Sequence, residues 1–194
     1  MPSKATPTIG FICGSLRRES INKQLEKALI KRFKRAGVKT SAINLASYDL
    51  PLYHGDLDLP PGVKKLIRKI KSCDGVIVAS PEYNGGIPPV LKNAIDWTST
   101  LGTDHFKSPY WGIASCSPGA MSGIMGMRQL NYILMRVGAK VSPIQVGVGH
   151  ADNAFDSKGE LIAEPSATLA EGLIADMLTH ISVSYTHLTL PTKA

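Results

Sequence analysis

Apolar residues along this chain alternate between two spacings. Thr8–Cys13 is a short continuous apolar run ending at Gly14, the pattern of a buried strand. From Ile21 the period lengthens: Ile21, Leu25, Ala28, Leu29 and Phe33 share one side of a helix that Gly37 closes. Val38–Leu45 predicts a second strand, and Ala46–Pro61 a long proline-containing loop. Val63, Leu66, Ile67 and Ile70 form an i, i+3, i+4, i+7 helical stripe, and Asp74-Gly75 turns the chain into a third buried strand, Val76–Ala79. Pro81 ends that strand because proline cannot donate to a ladder. A polar turn, Glu82–Gly86, follows. Pro88 and Pro89 then set the start of a helix with Leu91, Ala94, Ile95 and Thr98 on its apolar side.

Beyond a loop at Leu101–Pro109, Tyr110–Cys116 reads as the fourth strand, with Ser117-Pro118-Gly119 as its exit turn. Leu130, Ile133, Leu134 and Val137 mark a helix closed by Gly138. Lys140–Val148 is the fifth strand, and Pro143 within it predicts an edge position. Gly149–Glu164 is polar loop, and Leu169, Leu173, Met177, Leu178 and Ile181 mark a final helix. Five strands alternating with five helices predict an α/β doubly wound sandwich, a five-stranded parallel sheet with helices on both faces. Right-handed crossovers favour the flavodoxin-like strand order 2-1-3-4-5. In that order the loops at Gly14 and Ser80 flank the switch point where ligands bind, with the Ser117 loop beside them.

Composition narrows the function classes. At 194 residues the chain is large enough for one domain with a real core. It has no apolar run near the roughly 20 residues of a membrane span, and Met1–Thr8 carries no apolar export segment. A cytoplasmic protein without membrane contact is expected. Cys13, Cys73 and Cys116 are scattered with no CxxC pair, which predicts buried free thiols rather than a disulfide framework or a metal site. The net charge of +7 is concentrated in Arg17–Lys39 and Lys64–Lys71. Two solvated helix faces explain most of it, or attraction of phosphorylated ligands. No nucleic-acid motif is present, so small anionic cofactors fit better than nucleic acid.

Two loops carry the candidate chemistry. GSLRRESIN, from Gly14 to Asn22, offers the Ser15 and Ser20 hydroxyls, the Asn22 amide and the Arg17 guanidinium just before a helix N-terminus. Free N–H groups and the helix dipole favour an anion there, and arginine adds charge-assisted contact to phosphate. Ser20 is also a candidate N-cap. The sequence lacks G-x-x-x-x-G-K-[ST] and a G-x-G-x-x-G after the first strand, and a phosphatase C-x5-R fails because Glu19 stands where the arginine would fall. PEYNGG supplies two glycines and a tyrosine but no nucleophile–base pair. Glu82 is either a base or a capping or solvated carboxylate. The five histidines show no metal-ligand spacing. A phosphate-ready loop beside a planar-ligand loop, without a protein-borne catalyst, implies that a cofactor performs the chemistry.

The chain resembles the NADPH-dependent FMN reductase family of flavodoxin-like proteins, which includes quinone, chromate and azo-dye reductases. The resemblance rests on GSLRRESIN (Gly14–Asn22), PEYNGGIPPVLKNAIDW (Pro81–Trp97) and SPGAMSG (Ser117–Gly123), with FDSKGEL (Phe155–Leu161) also similar. It implies one non-covalent FMN per subunit. Ser15, Arg17, Ser20 and Asn22 would hold the flavin phosphate. Pro81, Glu82, Tyr83, Asn84 and Gly85 would line the isoalloxazine ring, largely through backbone groups, and Ser117 and Gly119 would contact the same region. Where the family often has paired glycines, this chain has Ser122-Gly123. The resemblance also implies hydride transfer from NADPH or NADH to flavin N5, then two-electron, ping-pong reduction of a quinone-like or other small acceptor. No protein residue would be catalytic, because the flavin is the reactive group. Family members are commonly homodimers or homotetramers. The competing reading is a flavodoxin-like electron carrier without direct NAD(P)H use, which the basic charge disfavours, such carriers tending to be acidic.

The last residues, Ser182–Ala194, read SVSYTHLTLPTKA. Their Thr/Leu alternation has strand character and breaks the helical period near Ile181. VSYTHLTLPTK also looks like a translated sequencing-adapter read-through. The expected organisation is therefore a reductase domain over 1–182 and a non-native tail over 183–194, with an edge strand or a disordered end as the alternative.

Overall fold

The strands pair in parallel in the flavodoxin-like order, numbered along the chain as 2-1-3-4-5. The structure, a computed structural model, describes residues 6–188. β1 (Thr8–Cys13), β2 (Lys39–Ile43), β3 (Gly75–Ala79) and β4 (Tyr110–Cys116) stand in continuous register, with Phe11 opposite Ile77 and Ile77 opposite Gly112. Every residue of β3 and β4 is buried. Covering both faces of a parallel sheet removes any solvent side, which is why these strands read as unbroken apolar runs.

Two cores result. On one face α1 (Ile21–Arg35) and α6 (Ser166–Leu188) pack Leu25, Leu29, Phe33, Leu173 and Met177 against Ile9, Phe11 and Ile77. On the other, α2 (Pro61–Lys71), α3 (Pro89–Ser99), α4 (Asp104–Lys107) and α5 (Ile124–Arg136) pack Leu66, Leu91, Phe106 and Leu130 against Val76, Val78 and Ile113. Pro61 and Pro89 each begin a helix, their missing N–H costing nothing at that position. Cys13, Cys73 and Cys116 are buried free thiols, as expected from their spacing.

Four features differ from the sequence reading. The fifth strand is two short pieces, β5 (Lys140–Val141) and β6 (Val146–Val148), which both pair with β4. Pro143 breaks the ladder between them, and the Ser142 N–H crosses to the Trp111 carbonyl at 2.8 Å. The loops at 46–61 and 101–109 contain a 3-10 turn (Leu45–Tyr48) and α4. Leu169, expected on the apolar side of the last helix, is exposed. α6 also runs on to Leu188 instead of ending near Ile181. Extending a formed helix costs far less than nucleating one, so seven residues of weak strand alternation do not stop it. The remainder of the expected tail, 189–194, lies outside the described residues.

Part of the basic surface is also committed. Arg32 pairs with Glu171 and donates to the Leu161 carbonyl, and Arg35 meets Glu160 at 2.9 Å. Lys31 donates to the Lys158 carbonyl at 2.5 Å. FDSKGEL is thus a turn, with the Asp156 carboxylate accepting the Lys158 and Glu160 N–H groups, tied down by the basic side of α1. Among the described residues no helix is long and apolar enough to cross a membrane.

Candidate active site

Three strand ends meet at the carboxyl edge of the sheet. The Gly14 N–H donates to the Ala79 carbonyl and the Ser80 N–H to the Ala114 carbonyl, both at 2.9 Å. A Cβ on Gly14 would sit 2.9 Å from Ser80 Oγ and 3.3 Å from its Cα, so glycine permits the first and third loops to touch. Between them lies a cleft of about 260 Å³ lined by Ser15, Arg17, Ser20, Asn22, Pro81, Glu82, Tyr83 and Ser117, with Glu19, Ile21, Cys116 and Pro118. The topology therefore brings together residues from all three loops singled out in the sequence. Asn84, Gly85 and Gly119 stand outside this lining.

The hydroxyls divide by the hydrogen they have left to give. Ser20 is the N-cap of α1, accepting from the Asn22 and Lys23 N–H groups at 3.2 and 3.4 Å. Ser15 Oγ accepts from the Arg17 N–H at 3.3 Å. Both are buried. Ser15 acts as an acceptor toward the protein among the described residues and so keeps its proton for an anion, whereas the Ser20 hydroxyl also lies in hydrogen-bond contact with the Cys13 thiol. Ser117 Oγ instead donates to the Gly119 carbonyl at 2.8 Å, which leaves it an acceptor toward anything in the cleft. The Arg17 side chain is exposed and its guanidinium makes no hydrogen bond or ion pair among the described residues.

Asn22 carries a structural task beside the one expected of it. Its side chain is 1% exposed, donating through Nδ2 to the Cys116 carbonyl at 2.8 Å and accepting the Cys116 N–H on Oδ1 at 2.9 Å. One Nδ2 hydrogen and one Oδ1 lone pair are thus used inside the protein, while the second Nδ2 hydrogen remains for the cleft that Asn22 lines. It joins α1 to the end of β4 and forms the floor of the cleft.

PEYNGG is a tight hairpin. Tyr83 and Gly86 exchange N–H···O bonds of 2.9 and 3.0 Å, and the two residues between them, Asn84 (φ 51°) and Gly85 (φ 78°), are left-handed. That is the type I′ turn that Asn-Gly favours. Tyr83 is 44% exposed at the rim. The Glu82 carboxylate accepts the Gly126 N–H at 2.9 Å, near the start of α5, whose N-cap Gly123 has no side chain to offer. Of the two roles open to Glu82, capping is the one observed. Gly126 permits the approach, since a Cβ there would lie 3.1 Å from Glu82 Cβ. At the other end of the hairpin the Ile87 N–H donates to Gln129 Oε1 at 2.7 Å. Neither Gly126 nor Gln129 stood out in the sequence, although they are three apart on a helix that follows the third loop.

Below Gly123, Ser115 Oγ is fully buried without a hydrogen-bond partner among the described residues, 2.0 Å from where a Cβ on Gly123 would fall. Ser122 (φ 57°) and Gly123 (φ 72°) are both left-handed. Two successive left-handed residues thus stand at this turn, the first of them a serine.

Burial pushes the Cys116 thiol up to about 12 and raises Cys13 as well, so neither is a thiolate nucleophile near neutral pH. No group of three His, Cys, Asp or Glu among the described residues could hold a metal ion. The cleft offers a cation, two buried hydroxyls, apolar walls at Ile21, Pro81 and Pro118, and an aromatic rim. These fit a phosphate-bearing planar cofactor, FMN among them, and contain no nucleophile–base pair.

Comparison with known proteins agrees. The family model of NADPH-dependent FMN reductase matches residues 7–153. The NAD(P)H-dependent FMN reductase PA1204 of Pseudomonas aeruginosa is 32% identical over 172 residues, 82% of this chain and 87% of that protein. A 2-hydroxy-1,4-benzoquinone reductase of a Burkholderia species is 30% identical over 163 residues, 80% of this chain and 86% of that protein. Among solved structures, FerB, a flavoenzyme NAD(P)H:(acceptor) oxidoreductase from Paracoccus denitrificans, superposes with a TM-score of 0.78 at 28% identity, covering 92% of this chain and 98% of that one. With its sheet order, its three-loop cleft and these relatives, the chain belongs to the NADPH-dependent FMN reductase family of oxidoreductases.

Proposed function

We propose that the cleft binds FMN with its phosphate at the Gly14–Asn22 loop and its ring against the Tyr83–Gly86 hairpin, and that the enzyme uses NADPH or NADH to reduce a quinone-like or other small acceptor. The observation that carries this reading is the make-up of the cleft: Arg17 with the buried Ser15 and Ser20 hydroxyls from the Gly14–Asn22 loop, and Pro81, Glu82, Tyr83 and Pro118 from the two facing loops. Bound there, FMN supplies the capacity to take a hydride from the nicotinamide and pass two electrons on. The chain's own residues bind and orient. Arg17 neutralises phosphate charge, Ser15 and Ser20 donate to its oxygens, and the α1 dipole adds to both. Pro81, Glu82, Tyr83, Asn84 and Gly85 present backbone and one aromatic face to the ring, with Ser117 and Gly119 bordering it. Asn22 acts through the floor it builds. Ser117, with its proton committed to Gly119, serves as an acceptor for the cofactor's N–H or O–H groups.

The quinone-like acceptor rests on relatives such as the benzoquinone reductase. The same reading takes the protein as cytoplasmic, in keeping with its buried free thiols, and as a homodimer or homotetramer. An outer apolar face supports self-association: Met121, Met125, Tyr132 and Met135 are all exposed on or beside α5. Purified protein should show a flavin spectrum that bleaches on anaerobic addition of NADPH or NADH and returns with a quinone. Protein that binds no FMN, and oxidises no NAD(P)H when FMN is supplied, would sink the proposal. Light scattering that found only monomer would remove the oligomer.

A further inference from the structure

We propose that Gln129 is a positioning residue for the flavin site, fixing from the middle of α5 the height and tilt of the Tyr83–Gly86 hairpin. The inference rests on the reading of that hairpin as the ring's cradle. Three observations carry it.

A type I′ hairpin is internally stiff, closed here by the paired Tyr83–Gly86 bonds. Its placement over the cleft is therefore decided at its two ends. At the first end the Glu82 carboxylate holds the Gly126 N–H at 2.9 Å. At the second the Ile87 N–H, which has left the hairpin ladder and not yet entered α3, is held by Gln129 Oε1 at 2.7 Å. Gly126 and Gln129 are i and i+3, neighbours on one helix face. Met127 and Leu130 are buried, so the helix that carries both is anchored to the core, with Gln129 itself on its exposed side.

The contact is also shaped sterically. A Cβ on Gly86 would lie 2.9 Å from Gln129 Oε1, so the missing side chain at 86 is what admits the amide oxygen beneath the hairpin. Gln129 itself is outside the cleft lining. It acts through the backbone it holds. With Gln129 released, one tether remains and the hairpin rocks about the Glu82–Gly126 bond. Backbone groups facing the ring then lose their fixed direction, and direction is what an electrostatic environment at a flavin ring depends on.

Two substitutions separate the acceptor from the volume. Gln129→Leu removes the acceptor and keeps the bulk and helix propensity, whereas Gln129→Glu keeps an oxygen in place. In the FMN-free protein, amide hydrogen exchange at Ile87 should quicken about tenfold in the leucine variant and not in the glutamate variant. FMN and riboflavin should both bind about two- to tenfold more weakly to the leucine variant, the range one neutral hydrogen bond spans, with a shifted flavin midpoint potential. The glutamate variant should restore both. Gly86→Ala, which drives Oε1 off from the hairpin side, should reproduce the leucine phenotype, and combining it with Gln129→Leu should add little. Unchanged Ile87 exchange in the leucine variant would overturn the tether. Faster exchange with wild-type flavin affinity and potential would overturn the positioning role. Wild-type protein that bound no flavin would instead overturn the reading of the cleft, and the proposal with it.

Discussion

Asn22 and Cys116 exchange two hydrogen bonds across the floor of the cleft, 2.8 Å from Nδ2 to the Cys116 carbonyl and 2.9 Å from the Cys116 N–H to Oδ1. The start of α1 is thereby locked to the end of β4 at a position where the ladder would otherwise leave both groups of Cys116 short of a partner. Asn22→Ala orphans two buried backbone groups at once. A loss of about 3 kcal/mol in unfolding free energy is expected, at the upper end of what unsatisfied buried groups cost. Urea denaturation of the FMN-free variant reads it directly. A loss below about 1 kcal/mol would mean that water replaces the amide and that the lock is not structural.

Arg17 makes the opposite prediction. Its guanidinium has no protein partner among the described residues and is exposed, so Arg17→Ala should leave stability within about 0.5 kcal/mol of wild type. A charge-assisted bond to phosphate is worth roughly 1.5–3 kcal/mol, so FMN should bind on the order of tenfold to a hundredfold more weakly. Riboflavin, without the phosphate, should bind the variant as it binds wild type. Equal weakening of both ligands would place Arg17 at the ring and overturn the assignment of the phosphate to the Gly14–Asn22 loop.

What the sequence revealed and what it hid have physical causes. Thr8–Cys13 and Tyr110–Cys116 were legible to the residue because a parallel strand buried on both faces writes an unbroken apolar run. Loop adjacency followed from the strand order, so the three-loop cleft could be foreseen without a contact being known. Side-chain commitments could not. Asn22 reads as a polar residue in a phosphate loop whether its amide faces an anion or, as here, the Cys116 backbone. Glu82 reads as a capping or solvated carboxylate ahead of a base, but which group it caps is hidden until Gly126 is seen beneath it. Gln129 has no local signature, since its partner is 42 residues away. The Asn-Gly pair at 84–85 did carry a hairpin signal, and reading it as a loose polar turn missed the type I′ geometry.

His105 gives acid sensitivity a definite origin. It lies in α4, 2% exposed, with Nε2 buried and without a hydrogen-bond partner among the described residues. Burial, with a smaller push from Lys71 against the pull of Asp104, lowers its pKa from 6.5 to about 4. The native state thus resists a proton that the unfolded chain accepts between these values. Above pH 6.5 neither state is charged and stability is at its full value. As pH falls from 6.5 to about 4, the unfolded state alone takes up the proton, and stability drops by about 1.4 kcal/mol per pH unit, about 3 kcal/mol in all. His105→Leu removes that slope, so the difference between wild type and variant should shrink or reverse toward pH 4 in urea titrations. Parallel pH profiles for the two proteins would show that His105 is protonated in the folded state.

The division of the chain at residue 182 can be tested by truncation, because α6 ends far from the cleft. Its later turns serve the amino-terminal ends of the strands: Met177 packs over Gly75, the first residue of β3, and His180 stacks on Tyr110, the first residue of β4, with ring centroids 3.9 Å apart. The cleft opens at the other ends of the same strands, beyond Ala79 and Cys116, roughly 13 Å away along β3 and roughly 20 Å along β4 at about 3.3 Å per residue. Ile181 is still buried, whereas Val183 is already half exposed. Removing 184–194 should therefore leave FMN affinity unchanged and cost less than about 1 kcal/mol of stability. Fluorescence titration with FMN and thermal unfolding of the shortened chain test both halves. A large loss of either would show that the final segment belongs to the reductase domain rather than being an added tail.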